Sequence, residues 1–526
     1  MRDRLGSKSP YRQPPDQELP LPPPGCAAVM VAGVLRHGSR NPGKKDVRAF
    51  DRLEAKFKDA QRHALAPEVR EWLPGWRNPY TTADSHLLVA AGAAEHYGIA
   101  RRLRERFPHL FSAYHSRRHH FRSSCHERAA RSAHAFAQAL FPVGATGPRS
   151  AADSTPLGWT PVHIVTPDCL RVAAGLEMEP GADGQGDKGG AGWEVDRLTR
   201  FFDACPAYEA QKDARQAEKR AFLKGGEVGE VLRNVQQRLP GVELTNDDVA
   251  ALYVLCGFEV SHFNTTTSVC SLFEEEDMET LEYLEDLKHW YKKSYGMPLN
   301  AKMVCPLHHH LLHALRQRAR GESDRAAALV FSHGETLLPL MTRLGLFADQ
   351  DALTASLSLP QRARRNFRTG SIIPMAANLL FILFECEAGS GRHVVLTLHN
   401  ERPIVLPACG QALYCPLETL LDDLQHDCRF QEECGVSGNE SSPAAGAACP
   451  GHRAAGGGDA PRGWPTSFDA LLGDASNQIS PTALAAALTA AVVSVAVLVL
   501  LACVLVRRDA PVRRPSARRA KDGASS

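Results

Sequence analysis

Residues 29–35, VMVAGVL, are apolar without exception, and the run stops at Arg36-His37. An unbroken apolar run of this length, bounded by charge and followed by a chain-breaking proline at position 42, reads as a buried strand. A second run, Ala326–Phe331, ends in the same way, at Ser332-His333-Gly334-Glu335. Leu379–Phe384 and Val394–Leu398 are further strand candidates. Helical spacing appears in between. Val47, Phe50, Leu53, Phe57 and Ala60 share one face, and Ser124-Cys125-His126-Glu127 fits a capping box that opens a helix running to Leu140. Helical patterns dominate from Trp193 to about Arg320, including Met278–Tyr291 with Leu281, Leu284, Leu287 and Tyr291 on one side. The expectation is an α/β sheet domain built from residues 26–145 and 325–434, interrupted by a mainly α-helical inserted domain at 146–324 with a Gly-rich loop at 172–193.

The flanks differ in character. Residues 1–25 are polar and rich in proline, with no apolar run fit for a secretory signal, so a leader is expected outside this sequence. Residues 435–482 are rich in Gly, Ala, Pro and Ser and read as a flexible stalk. Residues 483–506, ALAAALTAAVVSVAVLVLLACVLV, carry no charge and would span ~36 Å as a helix, enough for the lipid bilayer. Arg507 and Arg508 follow at once, and the tail 507–526 carries seven Arg or Lys against two Asp, so the expectation is a single transmembrane helix with a cytoplasmic tail. The folded part is then lumenal or extracellular, along the secretory pathway, in the endoplasmic reticulum or at the plasma membrane. Of the 14 cysteines, none forms a Cys-x-x-Cys pair, and Cys409, Cys415, Cys428 and Cys434 cluster late. That pattern, with glycosylation sequons at Asn264 and Asn439, points to disulfides in an oxidising compartment, their connectivity open.

Charge points to the ligand. Residues 36–143 hold twenty Arg or Lys against ten Asp or Glu, although the whole chain is only +2. An anionic ligand is the natural partner. Nucleic acid is disfavoured, because no aromatic residues interleave with the basic ones and no nucleic-acid module motif is present. In open α/β sheets ligands collect at the carboxyl ends of strands. If the two strand ends are neighbours, Arg36, His37, Arg40, His333 and Glu335 converge. That set suits phosphoryl transfer without a metal. Guanidiniums match phosphate oxygens, a neutral imidazole can attack phosphorus, and a carboxylic acid can protonate the leaving oxygen. Gly38 would allow a tight turn between the reactive groups. His308, His309, His310 and His313 have helical metal-ligand spacing, but no carboxylate or cysteine partner is apparent, so they read as a solvated helix face. No cofactor or metal is expected.

Arg36-His37-Gly38-Ser39-Arg40-Asn41-Pro42 fits the Arg-His-Gly-x-Arg-x-Pro signature of the histidine acid phosphatase family. LGSKSPY (5–11), RSSCHERAARSAHAF (122–136), RFFDAC (200–205), LEYLEDLKHWYKKSYG (281–296), HGETLLPL (333–340) and NFRTGSIIPMAANLLFILFEC (366–386) extend the resemblance, within that family, to the multiple inositol polyphosphate phosphatases, over roughly Leu5 to Cys434. The resemblance implies a histidine-phosphatase-like fold and an inositol polyphosphate substrate, such as inositol hexakisphosphate, with 2,3-bisphosphoglycerate as a smaller relative. It implies that His37 is the nucleophile, that Arg36, Arg40, Arg128 and His333 clamp the phosphate, and that Glu335 donates the proton. Lys44 and Lys45 are candidates for outlying phosphates, with Lys292, Lys293 and Arg368 weaker ones. The family's usual His-Ala-Glu is His333-Gly334-Glu335 here, and Ser39 and Asn41 stand in place of a commoner threonine and tyrosine. A broad-specificity acid phosphatase and a silent inositol-phosphate-binding membrane protein are the rival readings.

Overall fold

The structure is a computed structural model that describes residues 2, 4–14, 20–142, 162–167, 196–387, 393–425 and 427–436. The expected Gly-rich loop, the stalk beyond Val436, the 483–506 span, the basic tail and Asn439 lie outside the described residues. Among the described residues no helix is long and apolar enough to cross a membrane.

Four apolar runs became the strands of one mixed sheet. They are β1 (Cys26–Arg36), β4 (Ala327–Ser332), β5 (Asn378–Cys386) and β6 (His393–His399). Four shorter strands join them: β2 (His119–Ser123), β3 (Ile164–Val165), β7 (Arg402–Pro403) and β8 (Tyr414–Pro416). The order is β3-β2-β4-β1-β5-β6-β7, with β8 against β6. β3, β2, β4 and β1 are mutually parallel, whereas β5 runs antiparallel to β1 and β6 antiparallel to β5. β1 is central, which explains its unbroken hydrophobicity: both faces are covered.

Alternation along β1 feeds two apolar layers. Met30, Ala32 and Val34 pack into one core with Val47, Phe50 and Leu53 of α1 (Lys44–Phe57) and with the helical part of the chain. Val31 and Leu35 face the other, with Ile99 and Leu103 of α2 (Ala90–Arg106) and Phe136 and Leu140 of α3 (Glu127–Leu140). Between β3 and β4 every element among the described residues is helical. The main ones are α4 (Gly226–Arg238), α5 (Asn246–Phe263), α6 (Glu275–Lys293) and α7 (Cys305–Ala319). α8 (Gly334–Arg343) follows β4 directly.

The capping-box expectation at Ser124 is overturned. α3 starts at Glu127 with His126 as its N-cap and no side-chain cap. Ser124 N instead donates to Phe331 O (2.9 Å), extending the β2–β4 pairing one residue and turning the Ser124 hydroxyl toward the end of β4.

All eleven described cysteines are disulfide-bonded. Of the late cluster, Cys409 pairs with Cys415, while Cys428 and Cys434 reach back to Cys305 and Cys205. Cys26–Cys386 joins the outer ends of β1 and β5. Cys205–Cys434 closes a loop with a sequence separation of 229 residues. Replacing both of these cysteines with serine should lower unfolding free energy by about 2–5 kcal/mol in urea titrations. An unchanged midpoint would mean that the bridge is not formed in the folded protein.

Candidate active site

Register builds the site. The β1–β4 ladder ends with Arg36 opposite Ser332, and His37 N donates to Ser332 O (2.8 Å). His37 and His333, each the next residue along, therefore lie side by side with ring centroids 5.5 Å apart. β2, on the other side of β4, ends at the same level, with Ser123 opposite Phe331. It delivers Ser124 and His126, and then Arg128 in the first turn of α3, where the helix dipole also favours an anion.

His37 is 3% exposed. Its Nδ1 lies 2.8 Å from Gly38 O, an oxygen that can only accept, so Nδ1 carries the proton and Nε2 offers a lone pair. Burial, then Arg128, Arg36, His333 and Arg40, push the His37 pKa well below the usual imidazole range. The ring is therefore neutral and nucleophilic at ordinary pH. Arg128 Nη2 donates to His333 Nδ1 (3.3 Å), which leaves His333 Nε2–H to donate to Ser124 Oγ (2.8 Å). Burial first, then Arg128 and His126, push the His333 pKa well below the imidazole range too.

The guanidiniums are fixed from behind. Arg36 Nη1 donates to Ser7 O (2.8 Å) and to Ile373 O, and Arg40 Nη1 donates to Asn41 O (2.6 Å). The Nε of Arg36, of Arg40 and of Arg128 are each buried with no hydrogen-bond partner among the described residues. Burial, reinforced by Arg40, lowers the Arg36 pKa to about 10 and the Arg128 pKa to about 9. Three crowded cations with buried, unsatisfied N–H groups are matched by an oxyanion.

Glu335, in the first turn of α8, is ion-paired with Lys293 Nζ through Oε1 at 2.9 Å. Burial pushes its pKa up, but Lys293, Lys292 and His333 outweigh that and hold it well below the carboxylate range.

The structure thus brings Arg36, His37, Arg40, Arg128, His333 and Glu335 to one end of the sheet. It does not bring the others in the same way. Lys44 and Lys45 are exposed at the start of α1, Arg368 is tied to Glu282 (2.9 Å), and Asn264 is exposed at the C-cap of α5. Ser39 is fully buried with its N and Oγ on Glu95 (2.7 and 2.8 Å), so it does not face a ligand. Gly38 does not occupy a left-handed conformation. A Cβ there would lie 2.2 Å from Gly92 O, so glycine is needed for the approach of α2 rather than for a turn. At Gly334 a Cβ would meet Arg36 Nε at 3.6 Å, an ordinary contact, so glycine is not required. His308 is buried against Asp423 (2.9 Å) beside Arg343 and is not part of a solvated face, whereas His310 and His313 are exposed.

Four neighbours of the clamp escaped the sequence reading. Ser124 orients His333, and the His126 ring lies 5.0 Å from that of His333. Arg200 Nη1 reaches His126 Nε2 (3.3 Å), and Lys8 stands near Arg40 with Nζ over the Phe258 ring (5.6 Å). All four lie in stretches that carry the resemblance, Lys8 in LGSKSPY, Ser124 and His126 in RSSCHERAARSAHAF and Arg200 in RFFDAC, but none of them ends an apolar strand and the resemblance gives none of them a role in the site.

Residues 29–400 match the model of the histidine phosphatase superfamily (branch 2). The chain is 32% identical over 428 residues to multiple inositol polyphosphate phosphatase 1 of Gallus gallus, covering 78% of this chain and 85% of that one. It is 28% identical to the Homo sapiens protein of the same name, covering 82% and 85%. Two solved structures share the fold. The phytase from D. castellii superposes with a TM-score of 0.64 at 16% identity, covering 82% of this chain and 87% of that one. The multiple inositol polyphosphate phosphatase of Bifidobacterium longum in complex with inositol hexasulfate superposes with a TM-score of 0.59 at 17% identity, covering 82% and 99%.

Packing and charge each lead to an expected outcome. Gly38→Ala should cost about 1–3 kcal/mol or more in thermal or urea unfolding, whereas Gly334→Ala should leave stability unchanged or slightly raised. For pH, the unfolded chain's imidazoles take up protons near 6.5 while His37 and His333 in the fold refuse them, and the His126 pKa, lowered by burial and by Arg128, is about 3. Glu335, depressed when folded, loses its contribution in the same direction as pH falls. The calorimetric midpoint should therefore drop between pH 6.5 and 4, and inorganic phosphate should recover part of the drop. A midpoint flat across that window contradicts the burial of neutral imidazoles.

Proposed function

The chain belongs to the histidine phosphatase superfamily (branch 2), and from that footing we propose a phosphomonoesterase that removes phosphates from inositol hexakisphosphate and lower inositol polyphosphates through a phosphohistidine. The observation that carries the reading is the convergence of a neutral His37 with three guanidiniums whose buried Nε groups lack partners. The phosphate docks among Arg36, Arg40, Arg128 and His333. His37 Nε2 attacks phosphorus; the N–P bond forms as the ester O–P bond breaks, and Glu335 gives its proton to the departing oxygen. The guanidiniums take up the charge that spreads over the equatorial oxygens, so the cations this step needs come from the chain itself. Water, deprotonated by Glu335, then attacks phosphorus and breaks the N–P bond. Inorganic phosphate leaves and His37 returns to its starting state.

The relatives named above support an inositol polyphosphate as substrate, and so does the basic ground around the clamp. Lys8, its pKa lowered to about 7 by burial and by Lys288 and Arg40, stands at the edge of the site, and Lys288 lies within the field of both Lys8 and Glu335. A ring bearing several phosphates can engage such outlying ammonium groups, whereas a single phosphate cannot. We further place the folded part in the lumen of the secretory pathway or outside the cell. The disulfide bonding of every described cysteine supports this, as does the exposed Asn264 sequon.

The test is phosphate release from inositol hexakisphosphate, with rapid acid quench of radiolabelled substrate. Wild type should accumulate an acid-labile phosphoenzyme. His37→Ala should form none and should release phosphate about 1,000-fold more slowly or worse. Comparable release by both proteins removes His37 from the chemistry, and hydrolysis of simple aryl phosphates in strong preference to inositol hexakisphosphate removes the substrate assignment.

A further inference from the structure

A proton donor must hold a proton before it can give one, and the partner of Glu335 works against that. Lys293 is the last residue of α6, with its side chain 7% exposed, while that of Glu335 is 34% exposed and opens to solvent. The 2.9 Å contact with Glu335 is the only ion pair of Lys293 among the described residues. Other charges reach Glu335 from every side. They are Lys288 and Lys292 from α6, His333 ahead of α8, Arg36 and Arg40 from the end of β1, and Arg128 with His126 at the start of α3. Tyr208 lies within the same field. All of these charged groups are cationic or potentially so, and all favour the carboxylate. Lys293, however, is the group in direct contact, and it stands on the helical part rather than on the sheet that carries the clamp.

We propose that Lys293 is a positioning residue that couples arrival of a polyphosphorylated substrate to protonation of Glu335, an inference that rests on the phosphatase reading above. In the free enzyme the ammonium sits on the carboxylate. A substrate with one phosphate gives that phosphate to the guanidiniums and leaves the ion pair in place. A substrate with several phosphates brings a second, more highly charged anion to the ammonium. Lys293 transfers to it, and Glu335, relieved of its partner, takes up a solvent proton, delivered as hydronium or by a buffer acid, at the open mouth of the site. That proton then passes to the ester oxygen as the O–P bond breaks. Specificity for polyanions is thereby built into the acid catalyst and not only into binding. The lowered pKa of Lys293, about 8 through burial with Lys292 and Arg36 opposing the help from Glu335, fits an ammonium held in place by a single carboxylate.

The experiment compares inositol hexakisphosphate with glycerol 2-phosphate, an alkyl ester with one phosphate whose leaving oxygen also needs a proton. Wild type, Lys293→Met and Lys293→Arg are assayed from pH 4 to 8. In Lys293→Met, turnover of glycerol 2-phosphate at pH 6 should rise about tenfold, and the alkaline limb of its kcat/KM profile should move up by about one pH unit, because Glu335 now holds its proton unaided. The same variant should lose kcat/KM on inositol hexakisphosphate, and Lys293→Arg should keep the wild-type pattern on both. A uniform loss on both substrates with unmoved limbs, or no change on either, overturns the coupling. Lys293→Gln serves as the test variant if the methionine protein does not fold. Failure of the wild type to release phosphate from either ester would instead overturn the phosphatase reading itself.

Discussion

The parallel ladder of β1 against β4 runs from Val31–Ala327 to Arg36–Ser332, and the position of its last rung decides whether the reactive side chains meet. Shifted by one residue, it would turn the apolar faces of both strands over and carry His37 away from His333. The shift is prevented by the two cores, which claim alternate residues of β1, and by β5, which fixes the other edge of β1 through Leu35 and Asn378. β2 then needs only to end at the same level to add Arg128. Side chains from distant parts of the sequence come together because three strands stop together.

The same convergence gathers positive charge in a place with little water. Burial, then Arg40, weakens the hold of Arg36 and of Arg128 on a proton, Arg36 adds to the effect on Arg128, and the Nε groups of all three arginines are buried without partners among the described residues. In the proposed reaction, fixing those donors ahead of time would leave little reorganisation for the moment when charge develops on phosphorus. Burial first, and then the same cations, keep protons off the His37 imidazole beside them.

Much of this was legible in the sequence, and the part that was not has physical reasons. The apolar runs marked β1, β4, β5 and β6 because buried central strands need no polar alternation. β2 was not marked. HHFRS places His119, Phe121 and Ser123 inward and holds too little hydrophobicity to stand out. The acidic partner of His308 was missed because Asp423 lies far along the chain. Ser124 looked like a helix cap because its spacing to Glu127 is right, but a backbone bond to Phe331 fixed its direction first. The Lys293–Glu335 contact joins the end of α6 to the first turn of α8, and no local pattern reports such a pair. The resemblance named the reacting groups, whereas only the packing revealed what holds them.

The bridge between Cys26 and Cys386 spans a separation of 360 residues, and β1 lies just inside its first cysteine. As the polypeptide grows from the ribosome, β1 emerges early with both edges bare, and its partners β4 and β5 come late. During that interval it is a sticky, unpaired ribbon that calls for shielding by chaperones. The sheet can therefore close only once β5 has emerged, and oxidation of this cysteine pair would seal a sheet whose middle and flank have only then been joined.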